Sequence, residues 1–124
     1  MIEVEQVSHS AAALRSALVD RKMLRFEAPV MVGVVPQAGR IVERIEADGR
    51  NVEVEWDDGV VLQTRLRNGE GWRLFRHDEP WRTSQAGMSV LIATAEWIAV
   101  CFEAAAVETF RTTTVVRHPR FGRL

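Results

Sequence analysis

The chain has 124 residues, 47% of them hydrophobic, enough for one domain whose core needs neither disulfides nor metal. Sixteen basic residues against seventeen acidic ones give a net charge of -1, which excludes a general electropositive field and leaves only local basic surface for any nucleic-acid contact. Met1-Ile2-Glu3-Val4-Glu5 lacks the basic start and apolar stretch of a signal peptide, and no apolar run reaches membrane-spanning length, so a cytoplasmic protein with no membrane partner is expected.

The first element is a helix. Val7, Ala11, Leu14 and Leu18 recur at helical spacing, Arg15 falls off that stripe, and Asp20 and Arg21 close it. The period then changes to two. Met23–Glu27 is a strand candidate, and Arg40–Ala47 and Asn51–Trp56 alternate charged with apolar residues. Asp57-Asp58-Gly59 has hairpin-turn chemistry and leads into Val60–Leu66. Trp72–Arg76, Ser89–Thr94, Trp97–Phe102 and Ala106–Phe110 complete the set, separated by Gly69-Glu70-Gly71, by the polar stretch from Asp78 to Gly87, and by Ala95-Glu96. The sum is a mainly β chain with one N-terminal α-helix: a two-layer antiparallel β-sandwich of about eight strands. The expected domain covers residues 1–111, and residues 112–124, with Arg117, His118, Arg120 and Arg123, form a basic tail or connector.

Few residues invite chemistry on their own. Cys101, between Val100 and Phe102, reads as a reduced core thiol. His77-Asp78-Glu79 places three ligand types together, yet adjacent residues rarely converge on one ion, so the stretch reads as a solvated loop and neither metal nor cofactor is expected. His9 and His118 have no partner visible in the sequence. Trp56, Trp72, Trp81 and Trp97 could stack on bases, but their placement on strands and loops favours packing.

Two blocks of sequence are more particular. From Asp48 to Arg82, Asp57-Asp58-Gly59, Leu66-Arg67, Trp72-Arg73, Glu79 and Trp81-Arg82 fall at characteristic intervals, and Thr94–Val100, Phe102 and Val107-Glu108 continue the pattern. Together they resemble the N-terminal domain of the formamidopyrimidine-DNA glycosylase and endonuclease VIII family, in its actinobacterial endonuclease VIII-like branch. The resemblance implies an enzyme that excises oxidised bases with an N-terminal proline amine, through a Schiff base, assisted by the next glutamate. It also implies a hairpin lysine on phosphate, wedge residues that fill the gap left by a flipped base, and a second, helical and zinc-finger half that clamps DNA.

Position by position the carry-over is mixed. Glu3 falls on the catalytic glutamate, but Ile2 stands in place of the nucleophilic proline and Val4 in place of a glycine. Arg50 replaces the hairpin lysine, Gln63-Thr64-Arg65 replaces His-Ser-His before Leu66-Arg67, and Asn68 stands where the branch has an apolar methionine wedge. Because methionine removal generally requires a small second residue, Ile2 is expected to keep Met1, moving the free amine by one residue. That is about 3.8 Å, where a misplacement of ~1 Å can cost on the order of a hundredfold. One cysteine cannot build the zinc finger, and no helical clamp follows, so a separate protein is the expected source of that half.

These readings give an expected function: a catalytically degenerate glycosylase-like domain acting as a DNA- or protein-binding module related to base excision repair. DNA contact is expected to be weak and salt-sensitive, through Arg50, Arg65 and Arg67, with Asn68 able to hydrogen-bond. In a competing reading of the same arginines, Arg65 and Arg67 are neutralised by Glu53 and Glu55 across the hairpin. The alternative function is an active DNA glycosylase/AP lyase, either residual through the Met1 amine and Glu3 or as half of a split enzyme. A third is a sandwich reused for dimerisation.

Overall fold

The computed structural model describes residues 11–67, 71–77 and 87–112. Eight strands follow one another there: β1 (Arg25–Glu27), β2 (Val42–Asp48), β3 (Asn51–Trp56), β4 (Val60–Arg65), β5 (Trp72–Arg76), β6 (Met88–Ala93), β7 (Trp97–Phe102) and β8 (Ala106–Arg111). They form two four-stranded antiparallel sheets, ordered β1-β6-β7-β5 and β2-β3-β4-β8. One core cluster joins them, with Ile45, Val54, Trp56 and Leu62 from the second sheet meeting Trp72, Val90, Ile92 and Cys101 from the first. The expected β-sandwich is the observed one.

Helix α1 runs through 11–18 in the described residues and turns Ala11, Leu14, Ala17 and Leu18 into the same core, as its apolar stripe requires. The helix leaves through Asp20, whose φ of 70° is the left-handed conformation that ends helices. The Asp20 N–H then donates to the Val42 carbonyl at 2.7 Å, and Arg15 Nε donates to the Ile45 carbonyl at 2.7 Å. Both bonds hold the helix against β2.

The strand boundaries differ from the sequence reading mainly at β1. Met23 and Leu24 were expected within it, but here the chain crosses between sheets. The Met23 N–H donates to the Arg40 carbonyl beside β2, whereas the Leu24 N–H donates to Ala93 at the end of β6. Arg40 and Ile41 are engaged with that crossing, so β2 begins at Val42. Period two marks neither event, because alternation records faces and not neighbours.

Asp48 pairs with Asn51, closing the β2–β3 hairpin with Gly49-Arg50 at its tip; Gly49 has φ of 64°, which suits glycine as the first residue of such a turn. In the β3–β4 turn the Asp58 side chain accepts from the Val60 N–H at 3.2 Å, the local bond that makes aspartate a turn residue. The first sheet is apolar on both faces. A second cluster of Leu91, Ala93, Ile98, Val100 and Phe102, with Phe75 and Met88 against it, occupies the face turned from the main core, which is why β6 and β7 read as continuous apolar runs.

Candidate nucleic-acid interface

The fold brings three of the expected contact residues to one end of the second sheet. Arg50 sits at the β2–β3 tip, and its carbonyl accepts from the Leu66 N–H at 2.9 Å. Asn51 pairs with Arg65, and Arg65 pairs on its other side with Ala106, while its carbonyl accepts from the Ala105 N–H at 2.7 Å. The hairpin tip, the end of β4 and the start of β8 therefore share one edge of the sandwich. Thr64 and Leu66 are buried and Arg65 and Arg67 exposed, so alternation turns both guanidinium groups outward; Arg50 is exposed as well.

The competing reading, in which Glu53 and Glu55 neutralise Arg65 and Arg67, is not what forms. Arg44 takes both acids, reaching Glu55 at 2.8 Å and Glu53 at 3.6 Å, with Glu46 at 3.6 Å. Gln63 donates to Glu53 at 3.0 Å. The hairpin register decides this, because it sets Arg44 opposite Glu55 and Arg65 opposite Asn51. Burial lowers the Arg44 pKa, but the hydrogen bond and charge of Glu55, with the charges of Glu46 and Glu53, outweigh it and hold the guanidinium above its ordinary value. Arg44 was legible as a strand arginine but not as the partner of a buried carboxylate, since Glu55 is only 4% exposed on a face expected to be wet.

The other expected site residues lie elsewhere. Met1, Ile2, Glu3, Val4 and Asn68 fall outside the described residues, as do Trp81, Asp78, Glu79 and all of the expected tail except Thr112. His77 is exposed, its Nε2 2.7 Å from the Thr94 carbonyl, and no cluster of potential metal ligands occurs among the described residues. Trp56 and Trp72 are core residues, and Trp97 is half-buried with the Arg76 guanidinium 4.4 Å from its ring centre. Cys101 is buried, as expected. No helix among the described residues is long and apolar enough to cross a membrane.

No family model matches the sequence, and no curated protein does. Solved structures do match in fold. A complex of the Lactococcus lactis Fpg with DNA containing an abasic site superposes at a TM-score of 0.72 with 20% identity, covering 94% of this chain and 46% of that one. MutM in complex with DNA containing carbocyclic 8-oxo-G gives 0.71 and 22%, covering 96% of this chain and 46% of that one. A C248GH mutant of LlFpg bound to THF-containing DNA gives 0.73 and 20%. The chain thus spans less than half the length of the proteins it matches, and what it shares with them is the fold: its β-sandwich with a leading helix is that of the Fpg N-terminal domain.

Proposed function

We propose that this chain is a DNA-binding domain of base-excision-repair type that holds the phosphate backbone without turning over a base. The observation that carries the reading is the convergence of Arg50, Arg65 and Arg67 on one end of a sandwich whose solved counterparts are complexes with DNA. Arginine is suited to phosphate because its planar fork offers paired donors and keeps its charge at any ordinary pH. With Glu53 and Glu55 taken up by Arg44 and Gln63, Arg65 and Arg67 make no ion pair with an acid among the described residues. The absence of turnover rests on the sequence, where Ile2 occupies the place of the nucleophilic proline in the family that the chain resembles.

The test is fluorescence anisotropy with a labelled duplex over a salt series. Three phosphate contacts give a slope of log K against log salt of roughly -2 to -3, at about 0.9 per contact. No binding to intact or abasic-site duplex at low salt overturns the reading. Borohydride trapping with abasic-site DNA runs beside it. No covalent adduct is expected; an adduct removed by Glu3→Gln shifts the assignment to a lyase acting through the Met1 amine.

A further inference from the structure

The register lays out the outward face of the second sheet in rows. Asp48, Asn51, Arg65 and Ala106 lie across the four strands at the hairpin end, and Glu46, Glu53, Gln63 and Glu108 form the next row. Arg65 therefore stands diagonal to two glutamates, Glu53 and Glu108, at the ~7–8 Å backbone separation that long side chains can span. Neither acid pairs with it among the described residues. Both carboxylate oxygens of Glu53 are engaged elsewhere: Gln63 Nε2 donates to Oε2 at 3.0 Å, and Arg44 Nη2 lies 3.6 Å from Oε1. With the Glu53 side chain 32% exposed, these two partners, more than burial, hold it in place. Gln63 is the one uncharged member of its row and the one that can donate a hydrogen bond to a carboxylate; a glutamate there could only accept and repel.

A hydrogen bond to a carboxylate outweighs an exposed ion pair. Glu53 thus stays with Gln63 while that bond is made and is released toward Arg65 when it is not. Arg44 is the weaker holder, since it approaches Glu53 at 3.6 Å while its shorter contact, 2.8 Å, is with Glu55. We propose that Gln63 is a positioning residue for the DNA contact: by keeping Glu53 on its own row, it leaves the Arg65 guanidinium to phosphate. That role rests on the DNA-binding reading above and supplies the regulation of the same edge. Arg67 lies two residues further from the acid row, so the effect falls on Arg65.

Gln63→Ala tests this without changing the charge of the chain, and Glu108 is the same in every variant compared. Anisotropy with the labelled duplex at low salt is expected to give an affinity about two- to fivefold below wild type, the strength of an exposed ion pair that phosphate must now displace. In an Arg65→Ala background, and equally in a Glu53→Gln background, Gln63→Ala has no further effect. An equal loss in either background means that the change acts through the fold, and the proposal falls. The competition is also read without DNA. In the free chain, exchange of the Arg65 Nε–H with water, followed by nitrogen-edited NMR, is expected to slow severalfold in Gln63→Ala and not in Gln63→Ala/Glu53→Gln. An unchanged exchange rate overturns the proposal. Slowed exchange in a chain whose wild type binds no duplex upholds the hold of Gln63 on Glu53 and overturns the DNA-binding reading alone.

Discussion

The indole N–H of Trp72 on β5 donates to the Thr64 hydroxyl on β4 at 3.1 Å, a buried hydrogen bond that joins the two sheets. The same hydroxyl donates to the Val52 carbonyl at 3.3 Å, so both of its functions are used. Thr64→Val keeps the shape but strands the Trp72 N–H in the core. The expected cost is about 1–3 kcal/mol, the penalty of an unsatisfied buried donor, measured by urea unfolding. In a double-mutant cycle with Trp72→Phe the two changes couple by at least ~0.5 kcal/mol. Strict additivity removes the inter-sheet bond from the stability of the fold.

Arg44 and Glu55 form a pair of unequal burial, with side chains 39% and 5% exposed. Losing the partner of a fully buried acid costs about 3–5 kcal/mol, whereas a surface pair contributes about 0–1. Arg44→Met is expected between these, at about 2 kcal/mol, with Glu55→Gln smaller because the amide carries no charge to strand. Since the Arg44 pKa is raised in the folded chain, its contribution is complete below the ordinary arginine value and is lost only as pH rises through the folded one. The wild-type minus Arg44→Met stability difference is therefore flat with respect to Arg44 ionisation across the neutral range, which unfolding at several pH values checks.

Arg50→Ala, Arg65→Ala and Arg67→Ala each lower affinity for duplex DNA whatever its sequence and flatten the salt slope by roughly 0.9. Their melting temperatures stay close to wild type, because all three side chains are exposed. Anisotropy at several salt concentrations reads the first effect and thermal unfolding the second. Unchanged slopes in all three variants move the DNA contact away from this end of the sheet.

Gly33 lies against Thr109, where a Cβ would overlap the Thr109 carbonyl oxygen, and its φ is 121°. Gly33→Ala is expected to detach the Val32 segment from β8 at a cost of at least ~1 kcal/mol. Hydrogen exchange at the Val32 and Thr109 amides reports the detachment directly.

The Cys101 thiol is buried in the core cluster. It should not react with an aromatic disulfide reagent in the native chain and should release one equivalent on unfolding. Fast native reaction would contradict the packing of β7 against β5 and β6.

The sequence alone determined the local geometry. Alternation from Asn51 to Trp56 set β3 to the residue, the continuous apolar run from Trp97 to Phe102 set β7, and Asp57-Asp58-Gly59 set the β3–β4 turn, because a strand's faces and a turn's backbone demands are written in adjacent residues. The helical stripe through Ala11, Leu14 and Leu18 was legible for the same reason. The tertiary structure alone decided who meets whom. It paired β8 with β4 and not with β7, made Met23–Leu24 the crossing between sheets, gave Glu53 and Glu55 to Arg44, and gathered Arg50, Arg65 and Arg67 at one end. A period of two says which way a side chain faces, but not which distant strand lies beside it, and that choice belongs to the packing of the whole core.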